Sequence, residues 1–178
     1  MEKDIKRVYI SEEQLAEGVE KIARSLSDDY KDKRPLMVCI LKGSIVFFSD
    51  LIRKMDIGLD IDFLKASSYG AQTFSSGVVN IKQDLTADIS GRHVVLVEDI
   101  IDSGRTLSIL KEYFAKRNPA SVKICTLLDK PMRRVTSLEP DYKAFDIDDE
   151  FVVGYGLDFN EKYRNLPYVG ILKEEAYK

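Results

Sequence analysis

Glu98 and Asp99 stand side by side, and three residues further on comes Asp102-Ser103-Gly104-Arg105-Thr106, a tight run of small, hydroxylated and cationic residues. Adjacent carboxylates accept hydrogen bonds from sugar hydroxyls, directly or through a bound Mg²⁺. The run after them reads as an anion cradle. Backbone N–H groups at a helix start are unpaired and carry positive partial charge, Gly104 allows close approach, and the Ser103 and Thr106 hydroxyls add donors. The two parts together suit a ribose phosphate gripped at its diol and at its phosphate.

These groups need a strand and a helix to aim them. Residues 94–97 are consecutive aliphatics, the pattern of a strand buried on both faces of a parallel sheet, and ligands bind outside the carboxyl ends of such strands. Ile100 and Ile101 continue the apolar register, and Leu107 opens a helical pattern predicted over 107–116. Upstream, Ser11 and Gln14 form a capping box with Ile10 and Leu15 as its hydrophobic staple, and Leu15, Val19, Ile22, Ala23 and Leu26 share one helix face. Strands are predicted at 35–41, 59–66, 122–128, 151–155 and 168–172, with one around Phe145 and Ile147, and a second amphipathic helix at 45–55. Lys42-Gly43-Ser44 then forms a strand-to-helix loop at the same edge as the acids. The Ser- and Gly-rich residues 67–80 read as a long mobile loop. Strands alternating with helices give an α/β fold with a parallel sheet, leaving the terminal segments to form a hood over its ligand edge.

Composition narrows the function. A chain of 178 residues with a formal net charge of −3 has the size of one domain and lacks the positive balance that nonspecific nucleic-acid binding requires. No run is long and apolar enough for a membrane span, and residues 1–10 are too charged for a secretory signal, so the expected address is cytoplasmic. Cys39 and Cys125 each lie in an apolar strand-like run and read as buried free thiols. Two common nucleotide signatures fail: no G-x-x-x-x-G-K-[ST] occurs, and after Gly154 and Gly156 the third small residue of the dinucleotide fingerprint is replaced by Phe159. His93 is the sole histidine and precedes its strand at the far end, so no Ser/His/Asp or Cys/His pair forms near the acids.

The stretch VVLVEDIIDSGRTL resembles the phosphoribosyl-diphosphate motif of type I phosphoribosyltransferases. LKGS, SSYG, VEDIIDSGRT, LLDK and EFVVGYGLDFNEKYRNLP recur in the order seen in the hypoxanthine-guanine phosphoribosyltransferase family, across most of residues 36–172. The resemblance implies the type I phosphoribosyltransferase fold, a central mostly parallel sheet flanked by helices with a small hood from the terminal segments, as a single domain over 1–178. It implies transfer of a phosphoribosyl group from 5-phosphoribosyl 1-diphosphate to hypoxanthine or guanine with Mg²⁺, in a homodimer or homotetramer that engages neither nucleic acid nor membrane.

By the same resemblance, Glu98 and Asp99 are ribose and metal-shell acids, and Ser103, Gly104, Arg105 and Thr106 hold the 5′-phosphate, with Arg105 replacing the lysine common there and keeping its charge. Lys42 and Gly43 form a diphosphate loop with a non-proline cis peptide before Lys42, and Arg164 makes a second diphosphate contact. Lys130 donates to O6 and N7 of the purine, Phe151 stacks on it, Val152 offers backbone groups, and Asp158 is a second metal ligand near the purine 2-position. Asp102 is the acid/base residue at N7, and Ser68 and Tyr69 belong to a closing lid.

Read from the residues alone, several of these positions have plainer uses. KPMRR makes a solvated cationic loop, Arg164 a surface residue, Phe151 a core residue, and Asp102 and Asp158 helix N-caps. Rival functions are a ligand-sensing regulator that binds RNA through a basic face, and a transferase for xanthine, orotate or adenine.

Overall fold

The computed structural model describes residues 1–68 and 79–177. Its main sheet has six strands in the order β4-β3-β2-β5-β6-β7: β2 (Leu36–Ile40), β3 (Asp60–Ser68), β4 (Val79–Gln83), β5 (His93–Ile101), β6 (Ser121–Asp129) and β7 (Tyr142–Asp146). All neighbours are parallel except β3 and β4, which pair antiparallel. The continuous apolar runs follow from cover on both faces. Met37, Cys39, Val95 and Val97 point to one side, where they pack with buried residues of α1 (Glu12–Asp29) and α2 (Ile45–Lys54). Leu36, Val38, Ile40, Val94 and Leu96 point to the other, against Leu107, Leu110 and Phe114 of α3 (Arg105–Ala115). The two-residue period of the strands thus fills two separate cores.

A second sheet of three strands, ordered β1-β9-β8, pairs β1 (Ile5–Ile10), β9 (Val169–Leu172) and β8 (Val152–Val153) antiparallel. The capping box forms as read: Ser11 Oγ accepts from Gln14 N at 3.3 Å, and Gln14 Oε1 accepts from Ser11 N at 2.9 Å. Among the described residues no helix is long and apolar enough to cross a membrane.

Four local readings are corrected. β5 runs past residue 97 to Ile101 because β6 continues beside it, pairing Glu98 with Thr126 and Ile101 with Asp129, so the acids lie within the strand's last turns. α3 starts at Arg105, two residues earlier than expected, because Gly104 at φ 78 turns the chain directly into the helix. At the two ends of the expected loop at 67–80, ladder pairing joins Ser67 with Asn80 and Ser68 with Val79, and its residues 69–78 lie outside the described residues. Ser68 therefore ends β3, while Tyr69 lies outside the described residues. The strand read at 151–155 shrinks to Val152–Val153, because Gly154 at φ 98 and Tyr155 at φ 51 turn the chain away.

Candidate active site

Three parallel strands bring their carboxyl ends together: β2 delivers Lys42 and Gly43, β5 delivers Glu98 to Asp102, and β6 delivers Lys130. The peptide between Leu41 and Lys42 is cis. Gly43 lies so close to Asp99 that a Cβ built there would fall 1.7 Å from Asp99 Oδ2. The diphosphate-loop candidate and the paired acids therefore share one wall.

The acids are electrostatically unsatisfied. Burial pushes the Glu98 carboxyl well above the usual range, and the neighbouring Asp99 charge pushes it further. Asp99 is also raised, by burial, against the pull of its bond from Ile100 N (2.7 Å to Oδ1) and the positive charge of Arg164. Two hard oxygen donors that repel one another fit a divalent cation, and among the described residues no third acid, His or Cys joins them. Such a pair could hold Mg²⁺, which takes one or two carboxylates and fills its remaining positions with substrate oxygens and water.

Just beyond the acids, the turn 102–104 is fastened from behind. Asp102 C=O accepts from Arg134 Nη1 (3.1 Å), and Ser103 C=O accepts from Val135 N (3.1 Å). With the carbonyls held there, the N–H groups at the start of α3 are of the kind that could donate to an anion. A side chain on Gly104 would force its neighbours to shift, since a Cβ would lie 2.6 Å from Thr136 Oγ1 and 2.8 Å from Arg134 Cδ. Ser103 Oγ accepts from Arg105 N at 3.5 Å, at the outer limit of a hydrogen bond. Arg105 and Thr106 occupy the helix's first turn.

Asp102 does not cap α3, whose N-cap is Gly104. Its half-exposed carboxyl pairs instead with Arg133 Nε at 2.6 Å, and the same guanidinium reaches Asp149 at 3.1 and 3.2 Å. The KPMRR cluster is consequently no uniformly solvated loop. Lys130 is buried, its Nζ donating to Glu150 C=O at 2.8 Å, and Arg134 is buried against the fully buried Asp129. Met132 stands nearly free, 87% exposed.

Phe151 is 38% exposed rather than a core residue, and Val152 is buried opposite Ile171. Asp158 caps no helix: its Oδ2 accepts from Glu161 N (2.8 Å), closing a turn, and its Oδ1 pairs with Arg164 Nη2 (2.8 Å). Arg164 is three-quarters buried and donates through Nη1 to Gly156 C=O (2.8 Å), so it is a built-in member of its loop rather than a surface cation. Lys42 pairs with Glu161 at 3.0 Å, and Arg164 meets the same carboxylate at 3.4 Å. One anion thus bridges the two expected diphosphate contacts. His93 lies at the start of β5, its Nδ1 2.8 Å from Ser121 Oγ, remote from the acids in the strand. Cys39 and Cys125 are buried and free, and burial pushes the Cys39 thiol up to about 11.

Sequence reading missed Arg133, Arg134, Asp149 and Glu161. Each also meets a residue in another part of the chain, Arg133 and Arg134 at Asp102, Asp149 at Arg133 and Glu161 at Lys42, and only the abundance of opposite charges in 129–164 hinted at them.

The family model described as "Phosphoribosyl transferase domain" matches residues 9–160. The hypoxanthine-guanine phosphoribosyltransferase of Streptococcus pneumoniae is 55% identical over 177 residues, which are 99% of this chain and 98% of that protein. A crystal structure of a hypoxanthine phosphoribosyltransferase from Staphylococcus aureus matches with a TM-score of 0.97 and 46% identity, covering 100% of this chain and 97% of that one. A hypoxanthine-guanine phosphoribosyltransferase structure from Bacillus anthracis, with a HEPES molecule in its active site, matches with a TM-score of 0.91 and 48% identity over 95% of this chain and 99% of that one.

Proposed function

The chain belongs to the phosphoribosyl transferase domain family, and from that premise we propose that it transfers the phosphoribosyl group of 5-phosphoribosyl 1-diphosphate to hypoxanthine or guanine, giving IMP or GMP and diphosphate. The observation that carries the reading is the placement of Asp99 against Gly43 on one side and, from Ser103 on, a helix-start anion site on the other. That spacing suits a sugar held at its diol, its 1-diphosphate and its 5-phosphate. The names of the close relatives support the same purine-salvage activity and lend nothing to an RNA-binding regulator or a transferase for another base.

In this reading the purine N9 forms a bond to C1′ while the C1′–O bond to diphosphate breaks, its electron pair leaving with the diphosphate. Glu98 and Asp99 would hold a bound Mg²⁺, which would supply charge neutralisation at the leaving group. Lys42, Gly43 and Arg164 face that group, and Glu161 yields its two cations to it. Ser103, Gly104, Arg105 and Thr106 hold the 5-phosphate, fixing C1′ relative to the base. Lys130, a donor with no acceptor, selects the O6 and N7 acceptors of a 6-oxopurine over the amino group of adenine. Phe151 stacks on the ring, Val152 offers backbone groups to its edge, and Asp158 lies toward the 2-position. Asp102 takes the proton that the base loses, and Arg133 holds that carboxyl in place until the base arrives. A cytoplasmic location fits the two buried, unpaired cysteines. Assembly into a homodimer or homotetramer would cover apolar Met132 and Val135, both exposed.

The test is an absorbance assay with Mg²⁺, the activated sugar and each of hypoxanthine, guanine, xanthine and adenine. Turnover of the first two is expected, and turnover of adenine alone, or of none, overturns the proposal. Asp102→Asn should lower kcat by roughly 10²-fold with binding of the activated sugar retained. Lys130→Ala should weaken the purine KM selectively.

A further inference from the structure

The last residues of the described chain end on the candidate base site. After β9, Lys173 is tied to the amino-terminal segment, its N donating to Asp4 C=O at 2.9 Å and its Nζ to Lys3 C=O at 2.6 Å. A single 3₁₀ turn, Glu174–Ala176, then carries Tyr177 onto Phe151. The two rings stack, with centroids 4.8 Å apart and planes 17° from parallel. Phe159 closes the group edge-on, 5.6 Å and 87° from Phe151 and 6.5 Å and 73° from Tyr177.

The arrangement matters because of where Phe151 sits. It precedes β8 rather than lying within it, and its backbone is held by its carbonyl, which accepts from Leu172 N at 3.0 Å. Its side chain, with two free torsions, is therefore oriented by what packs around it. Tyr177 covers one face and Phe159 meets the ring edgewise; Phe151 is 38% exposed, and among the described residues no aromatic ring stacks on the other face. That is the open face of a preset aromatic plate. The preceding residue, Glu150, holds the Lys130 ammonium on its carbonyl, so the plate and the base-recognising cation are adjacent in the chain.

We infer that Tyr177 is a positioning residue for the purine: it backs Phe151 so that a flat heterocycle stacks on the opposite face, completing a three-layer stack of Tyr177, Phe151 and base. The inference rests on the proposed assignment of Phe151 to the base. Tyr177 itself touches no substrate, and its action is to remove rotational freedom from the ring that does. The effect should fall on both 6-oxopurines alike, because a stack reads the ring face and not its substituents.

The full chain carrying Tyr177→Ala, Tyr177→Leu or Tyr177→Phe tests this by steady-state kinetics with hypoxanthine and guanine and a parallel thermal melt. In Y177A the purine KM should rise about three- to tenfold, the range an aromatic pair supplies, while kcat, the KM for the activated sugar and the melting temperature hold. Y177F should restore the wild-type purine KM and Y177L should not. An unchanged purine KM in Y177A overturns the inference. A fall in KM overturns it too, since Tyr177 would then occupy the base's own side of Phe151, and so does a loss confined to kcat or melting temperature. Phe151→Leu separates the two layers of argument: if it leaves the purine KM unchanged, the assignment of Phe151 to the base has failed, whereas a raised KM there with none in Y177A rejects Tyr177 alone.

Discussion

Substituting Gly43 by alanine should damage catalysis through Asp99 while leaving the fold intact. The added methyl would stand 1.7 Å from Asp99 Oδ2 and 2.8 Å from its Cγ, so the carboxylate or the loop must move by about 1 Å or more to regain ordinary contact. The loop cannot easily retreat, because Gly156 is packed against it so closely that a Cβ on Gly156 would come 2.1 Å from Gly43 C=O. The carboxylate is the part that yields, breaking its bond from Ile100 N. Displacing a group that orients substrate by about 1 Å costs on the order of 10²-fold in rate, or roughly 2.7 kcal/mol of barrier. G43A should therefore lower kcat/KM for the activated sugar about 10²-fold, with a melting temperature within a few degrees of wild type. The assay is IMP formation by absorbance at limiting sugar diphosphate, run beside D99A and the double variant. If the methyl acts by displacing Asp99, G43A adds little once Asp99 is gone. Near-normal kcat/KM in G43A refutes the reasoning, and so do two losses that multiply in the double variant.

Three further outcomes follow from the same structure. Gly104→Ala places a side chain on a left-handed residue at φ 78 and against Arg134 and Thr136; the backbone alone costs about 1–2 kcal/mol, and the KM for the activated sugar should rise about tenfold, an unchanged KM arguing against a phosphate role for this turn. Glu161→Gln removes the carboxylate that bridges Lys42 and Arg164, so diphosphate should inhibit about two- to fivefold more strongly, the modest size reflecting an exposed ion pair; weaker inhibition would count against Lys42 and Arg164 as diphosphate contacts. Asp62 is 5% exposed, and although burial pushes its carboxyl up, the N–H donors of Ala87, Phe63 and Thr86 pull harder and hold it below its ordinary 3.8. A depressed carboxyl stabilises the fold fully above that ordinary value and loses its contribution as pH falls through the folded one; Asp62→Ala should cost about 2–3 kcal/mol at pH 6, and urea melts giving the same difference at pH 3 would contradict the assignment.

What the sequence disclosed depends on how the site's parts are spaced along the chain. Glu98, Asp99 and the 102–106 run occupy a single strand end, turn and helix start, so their proximity needs only local geometry, and the apolar run before them marks the strand as buried on both faces. Chemistry is legible when one supersecondary unit carries it. The counter-charges obey no such rule. Arg133 meets Asp102 from 31 residues away, Lys42 meets Glu161 across 119, and Tyr177 reaches Phe151 because β8 and β9, distant in the chain, pair antiparallel. None of these contacts leaves a periodic trace, since a charged residue in a loop looks the same whether it faces water or a partner. The local error at 67–80 has a related cause: a Ser-rich hairpin arm is held by backbone ladder bonds, and backbone bonds are invisible to a reading of side-chain polarity. The division has a functional sense. In the proposed reading the groups that must keep one fixed geometry through turnover are contiguous, whereas those that must let go of one another when ligand arrives, Glu161 from Lys42 and Arg133 from Asp102, are drawn from separate loops that can part without unfolding either core.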